Sequence, residues 1–251
     1  FMILDIILNK KNFLDKKNYF KKYNNASPFP HIVIDDFIPE DLALQCYNQM
    51  SQHQQWMFDT MEGYPEDERD SQVNKWWTPF DTESKNRLES DMPAVWKCLQ
   101  YFNSRPFLLF LENLTGIKDL IADVDFEGGG IHKIKNGGRL ELHSDYNKHP
   151  NKDIWRRINL LLYLTPNWNY NGHLDLYEKE PLVKVKSILP TFNRAVIFNT
   201  TDDSIHGHPT PLVCPEEISR YSFALYYFTK DRPEHEKSNS KAAIWYKTSY
   251  L

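Results

Sequence analysis

The spacing of apolar residues changes character near residue 122. Before it, apolar positions recur at helical intervals; after it, they fall into short runs broken by turn residues. Residues 10–23 read as a helix that stops in the polar Asn24-Asn25-Ala26-Ser27-Pro28 turn. The β-branched run His31-Ile32-Val33-Ile34-Asp35 predicts a strand. Pro39-Glu40-Asp41 opens a helix through Met50, with proline in the first turn and acids at the positive end of the dipole. Met92, Val95, Trp96 and Leu99 lie at i, i+3, i+4 and i+7, predicting a helix over residues 91–102. Residues 106–114 predict another, stopped by Gly116. Residues 54–86 show no period. Trp56, Tyr64, Trp76, Trp77 and Phe80 stand there among charges, so the segment reads as a long loop, with Trp76 and Trp77 as candidates for a substrate lid.

From residue 123 the pattern predicts strands over residues 130–134, 140–143, 157–164, 173–177, 183–188, 194–199 and 221–228. So many short strands without βαβ alternation point to an antiparallel sandwich or barrel rather than a parallel nucleotide-binding sheet. The expected organisation is one α+β domain over residues 1–251. In it a helical support (1–122) backs a β core (123–233), and residues 234–251 form a C-terminal tail.

Composition narrows the function classes. The chain has 251 residues, 41 % of them hydrophobic and 14 % aromatic, which suits a buried core and not a disordered chain. Its net charge of −4 sets up no field for nucleic acid. Lys10, Lys11, Lys16, Lys17, Lys21 and Lys22 are interspersed with Asn and Asp and read as a solvated helix face. Cys46, Cys98 and Cys214 form neither a disulfide framework nor a metal-binding pair, so a reducing cytoplasm is the expected compartment. The apolar run at residues 2–8 is interrupted by Asp5 and followed, not preceded, by lysines, the wrong order for a secretory signal. No run approaches the ~18 apolar residues of a membrane span. The expectation is a soluble protein with no membrane or nucleic-acid partner; the sequence says nothing of oligomeric state.

Candidate chemistry centres on residues 131–146, IHKIKNGGRLELHSDY. Side chains alternate along a strand, so His143 and Asp145 point the same way and can grip one ion. A histidine from another strand would complete a two-histidine, one-carboxylate set with three adjacent positions open, the arrangement of non-haem Fe(II) oxygenases. His-x-Asp alone is weak in a chain with nine histidines. His206 supplies the third donor, directly after the apolar strand Ala195-Val196-Ile197-Phe198, with His208 as the rival ligand. Fourteen residues on, Arg220 opens a strand in which Arg220, Ser222, Ala224 and Tyr226 share a face. A guanidinium inside a barrel is very costly unless an anion pairs with it, and beside a serine hydroxyl it suits a carboxylate held by two hydrogen bonds.

These segments together resemble the Fe(II)- and 2-oxoglutarate-dependent dioxygenases, in particular the prolyl-hydroxylase-like branch. The likeness is carried by Gly137-Gly138-Arg139-Leu140-Glu141-Leu142-His143-Ser144-Asp145, by residues 156–164 with Trp168, by Gly172-His173-Leu174-Asp175-Leu176, by Pro190-Thr191-Phe192-Asn193-Arg194, by Ser204-Ile205-His206-Gly207 and by Arg220-Tyr221-Ser222. The resemblance implies a double-stranded β-helix, or jelly roll, with N-terminal buttressing helices. It implies iron ligation by His143, Asp145 and His206, and cosubstrate contacts from Arg220, Ser222, Tyr163 and His132. The implied cofactors are Fe(II), 2-oxoglutarate and O2, with ascorbate in support. The implied reaction is hydroxylation of an unactivated C–H bond in a small molecule, an amino acid or a prolyl residue, with release of succinate and CO2. Asp145 is itself informative, because halogenating relatives carry a small residue there. The competing class is a jelly-roll module that binds a metal or ligand without turnover.

Overall fold

The computed structural model describes residues 8–9, 16–62, 65–79, 81–237 and 242–246. Most of residues 2–8, the start of the first expected helix with Lys10 and Lys11, and Tyr64 and Phe80 lie outside the described residues.

The strands are β1 (His31–Ile34), β2 (Met57–Phe58), β3 (Gln72–Trp77), β4 (Ile121–Ala122), β5 (Gly130–Ser144), β6 (Trp155–Tyr163), β7 (Leu174–Glu178), β8 (Val183–Ile188), β9 (Arg194–Asn199), β10 (Ile205–His208), β11 (Arg220–Thr229) and β12 (Ile244–Tyr246). They form one 12-stranded sheet in the order β1-β9-β6-β11-β5-β10-β7-β8, with β3 and β12 also on β5, β2 on β3 and β4 on β11. Every pairing is antiparallel among the described residues. This curled sheet is the jelly roll that the sequence implies. The two short strands expected at 130–134 and 140–143 are one 15-residue strand, β5. Its first residues pair with β11 and its last with β10 and β12, while β3 pairs with it between His132 and Leu140.

Alternation sorts the two faces of the sheet. Tyr221, Phe223, Leu225 and Tyr227 of β11 join Ile158, Leu160 and Leu162 of β6 in the main core, under the helices. Arg220, Ser222, Ala224 and Tyr226 face the opposite side with Asn159, Leu161 and Tyr163, where they line a cavity. The helices cover the first face because their own apolar stripes match it. Pro93–Phe102 begins with proline in its first turn and buries Val95, Cys98, Leu99 and Phe102. Arg105–Thr115 buries Phe107, Phe110, Leu111 and Leu114 and ends at Gly116, whose φ of 82° is a left-handed cap that costs glycine little. The Phe102 and Phe107 rings meet edge to face at 4.9 Å. Burying side chains of this size contributes about 1.5–3 kcal/mol each.

Two expectations give way. Residues 54–86 are not one loop: they hold β2, β3 and the helix Thr82–Asp91, whose first turn is capped by the Asp81 carboxylate accepting from the Ser84 amide at 2.9 Å. Trp76 and Trp77 therefore stand on β3 and not on a free lid. Alternation along β3 is interrupted at Asn74, which has a φ of 51° where the pairing with β5 shifts register. A bulge of that kind hides a strand from any period-2 search. In the expected C-terminal tail, residues 244–246 are strand β12, paired to the His143 end of β5. No described helix is long and apolar enough to cross a membrane.

Candidate active site

The antiparallel pairing of β5 with β10 sets His143 directly opposite His206. Their ring centroids are 4.4 Å apart. Asp145, just past the end of β5, places Oδ1 3.6 Å from His143 Nε2 and Oδ2 3.5 Å from His206 Nε2. One donor atom from each of the three lies within 4.8 Å of the others, the sole such group among the described residues. All three side chains are buried. His143 Nδ1 is 2.9 Å from the Glu141 carbonyl and His206 Nδ1 is 2.9 Å from the Ser204 carbonyl. A carbonyl only accepts, so each Nδ1 carries the hydrogen and each Nε2 presents a lone pair. Two lone pairs and a carboxylate thus converge on one point. Such a set repels itself unless a cation stands between its members, so these residues fit a divalent metal and leave the far side of it open.

The electrostatics agree with that fit. Burial pushes the His206 imidazole down to about 4, helped by His143 and opposed by Asp145. Burial alone would raise the Asp145 carboxyl, but Arg156 and the two imidazoles outweigh it and hold it far below the usual carboxylate range. Both residues are therefore in their metal-binding protonation states at neutral pH.

The cation expected at Arg220 is deep in the same cavity, which measures about 500 Å³. Arg220 is only 6 % exposed. Its Nη1 donates to the Gly172 carbonyl at 2.6 Å and its Nη2 to His208 Nε2 at 3.1 Å. Among the described residues no carboxylate lies within ion-pair distance of it; its partners are neutral, and burial lowers its pKa. A buried guanidinium with only neutral partners is costly, and an anionic ligand is what would offset it. Ser222, Tyr163 and His132 sit in register around it: Ser222 is paired to Tyr163 on β6 and to His132 on β5. Directly opposite residues share a face, so the row runs across three strands along the same cavity wall as Arg220. Burial, then Lys75 and Arg220, push His132 well below its ordinary value, so it is a neutral ring at neutral pH.

His208, the rival third ligand, is not in the metal group. The β5–β10 register shifts between His206 and His208, and His208 turns to Arg220 instead. Burial and the guanidinium push it well below the usual imidazole range, which keeps Nε2 free to accept.

Five side chains take roles that the sequence did not assign to them. His208 steadies the guanidinium. Lys75 of β3 is paired through Ile134 to the Arg220 row, so it stands on the same cavity wall. Trp245 of β12 lies opposite His143 and stacks on it at 4.9 Å. Asn159 donates to Asp145 Oδ2 at 2.6 Å, beside Arg156 at 3.2 Å from the same oxygen. Only the last pair left a trace in the sequence: polar Asn159 on an otherwise apolar inward face.

The profile of the 2OG-Fe(II) oxygenase superfamily matches residues 129–228. The Mus musculus prolyl 3-hydroxylase OGFOD1 is 31 % identical over 150 residues, which cover 57 % of this chain and 25 % of that protein. The chain thus spans about a quarter of that relative's length. Among solved structures, the prolyl hydroxylase from Trichoplax adhaerens in complex with a hypoxia inducible factor oxygen degradation domain peptide fragment superimposes with a TM-score of 0.51 at 20 % identity, covering 88 % of this chain and 91 % of that one. HygX from Streptomyces hygroscopicus, with nickel and 2-oxoglutarate bound, gives 0.52 at 11 % identity, covering 90 % of this chain and 94 % of that one. At these identities the two structures speak to the fold.

Proposed function

We propose that the chain, whose residues 129–228 match the profile of the 2OG-Fe(II) oxygenase superfamily, is an Fe(II)- and 2-oxoglutarate-dependent hydroxylase of the prolyl-hydroxylase-like branch. Its reaction inserts oxygen into an unactivated C–H bond and releases succinate and CO2. The observation that carries this reading is the pairing of two sites in one cavity. A buried, cation-demanding triad lies in the same pocket as a buried guanidinium with no anionic partner among the described residues. A module that only bound a metal would have no use for the second.

His143, Asp145 and His206 would hold the iron, which with 2-oxoglutarate and O2 supplies the oxidising chemistry when bound. The rest is positioning. The carbonyls of Glu141 and Ser204 fix the two imidazole tautomers and aim their Nε2 atoms. Arg220 takes the far carboxylate of the cosubstrate, with the hydroxyls of Ser222 and Tyr163 on the same face as further donors. The Trp245 ring lies against His143 at 4.9 Å and helps hold its imidazole in place. The substrate is a peptide or a small molecule, and the name of the mouse relative makes a prolyl residue the first to test. The three cysteines are free and buried, which supports a reducing, cytoplasmic compartment.

The test is succinate release from 2-oxoglutarate with Fe(II) and ascorbate, across prolyl peptides, amino acids and small metabolites. Turnover, coupled or uncoupled, is expected. Its absence across the panel would favour a metal-binding module.

A further inference from the structure

Resting on the iron site of that reading, we propose that Asn159 and Arg156 are positioning residues that hold Asp145 as a one-oxygen ligand. By occupying its second oxygen, they keep three coordination positions open.

The three side chains form a closed ring. Asn159 Nδ2 donates to Asp145 Oδ2 at 2.6 Å. Arg156 Nη2 lies 3.2 Å from the same Oδ2. Arg156 Nε donates to Asn159 Oδ1 at 2.8 Å. The last contact settles the orientation of the amide: an oxygen must face the guanidinium, so the NH2 group faces the carboxylate. Among side chains of this length, only asparagine combines an acceptor for the cation with a donor for the anion and adds no charge. Both Arg156 and Asn159 are 2 % exposed, so water does not compete for these bonds.

Arg156 is in turn packed against two aromatic rings. Its Cζ lies 3.5 Å from the Tyr226 ring centroid and 4.6 Å from that of Tyr146. The Tyr226 hydroxyl donates to the Gly128 carbonyl at 2.9 Å, which pins that ring. Tyr226 is paired with Asn159 across β11 and β6, so ring and amide stand side by side.

Plain alternation would not bring Arg156 here, because residues three apart on a strand face opposite ways. A bulge does. Tyr227 pairs with Ile158 and the next residue, Phe228, pairs with Arg156, so Arg157 is the extra residue on β6. The insertion resets the alternation and turns Arg156 to the face of Asn159, the kind of re-aiming for which bulges recur beside active sites.

The consequence is in the coordination count. A six-coordinate metal held by His143, His206 and one oxygen of Asp145 would keep three positions for cosubstrate and O2. Nothing in a free carboxylate prevents it from swinging to bind through both oxygens, which would leave two. Here Oδ2 accepts from the Asn159 amide and faces the Arg156 guanidinium as an ion pair at 3.2 Å, which leaves Oδ1 for the metal.

Co(II) and 2-oxoglutarate titrations of the purified chain test this without reference to turnover. In Asn159→Leu the ring opens and the carboxylate is free to chelate. Co(II) affinity should stay within threefold of wild type or tighten, while affinity of the Co(II)-loaded protein for 2-oxoglutarate falls about tenfold. The Co(II) absorption spectrum should change before cosubstrate is added. Arg156→Met should move both readouts in the same sense. If either variant loses Co(II) and 2-oxoglutarate together, the residues merely support the fold and the proposal fails. If both variants titrate as wild type, it fails as well. A wild-type chain that binds neither ligand would instead overturn the iron-site reading on which the proposal stands.

Discussion

At the residue scale, what the sequence reveals is what alternation alone can place. His143 and Asp145 at i, i+2, and Arg220 with Ser222, were readable because each pair needs only an unbroken strand. Asn159 and Arg156 were not, since their partnership depends on a bulge that alternation cannot see. His208 stayed a rival to His206 for the same reason: the β5–β10 register shift that sends it to Arg220 cannot be read from alternation. The role proposed for Arg220 makes a direct prediction. Arg220→Ala removes charge-assisted hydrogen bonds worth roughly 1.5–3 kcal/mol, so the 2-oxoglutarate concentration needed for half-maximal turnover should rise about 10- to 100-fold. Metal affinity, measured by titration, should hardly move. An unchanged cosubstrate requirement would show that the guanidinium serves something else. His208→Val removes a neutral acceptor from Arg220 Nη2. The same requirement should rise only a few-fold, consistent with about 0.5–1.5 kcal/mol for such a bond. A larger effect than that of Arg220→Ala would invert their assigned roles.

At the element scale, the β core was legible and its flanks were not. Strands rich in Val, Ile and Leu between turn signals announce themselves; β3, with Lys75 among its residues and a left-handed Asn74 in its middle, does not. β12 is three residues long, too short to show a period. Yet both flank β5, the strand that carries His143. The closeness of its other neighbour, β10, turns on one residue. A Cβ at Gly207 would stand 2.7 Å from the Glu141 carbonyl oxygen and 2.8 Å from that of Leu140. Those are backbone atoms and cannot swing aside, so the glycine between His206 and His208 is where two strands approach too closely for any side chain. Gly207→Ala should therefore lever β10 from β5 and separate His206 from His143. The expected cost is about 2 kcal/mol, or a fall in Tm of about 4–8 °C for a chain of this size. Metal affinity should drop at least tenfold in a protein that remains folded by circular dichroism. A variant that binds metal as tightly as wild type would mean that the strand contact does not govern the triad.

At the scale of the whole molecule, burial of neutral imidazoles couples the fold to pH. Burial is the largest cause lowering the pKa of His31, His132 and His149, and of the half-buried His53. In the unfolded chain each returns to about 6.5. Below that value the unfolded state binds protons that the folded state refuses, so stability rises with pH and is lost as pH falls from about 6.5 toward the depressed folded values. Asp145 acts in the same sense further down, since its folded carboxyl is also depressed. In the limit each buried histidine steepens the dependence by about 1.4 kcal/mol per pH unit, and half-exposed His53 by much less. Urea midpoints of the metal-free chain should thus be flat above pH 7 and fall progressively between about pH 6.5 and 5. His31 offers a local check. Its Nδ1 lies 2.9 Å from the Phe29 carbonyl, so that nitrogen carries hydrogen, and its Nε2 faces the Lys186 ammonium at 2.9 Å, where protonation would set two cations against each other. His31→Gln, which can still accept from that lysine, should flatten the acid limb while changing the midpoint at pH 7.5 only slightly. A midpoint that holds or rises on acidification to pH 5 would show that these imidazoles are protonated in the folded chain, contrary to the burial that the jelly roll imposes on them.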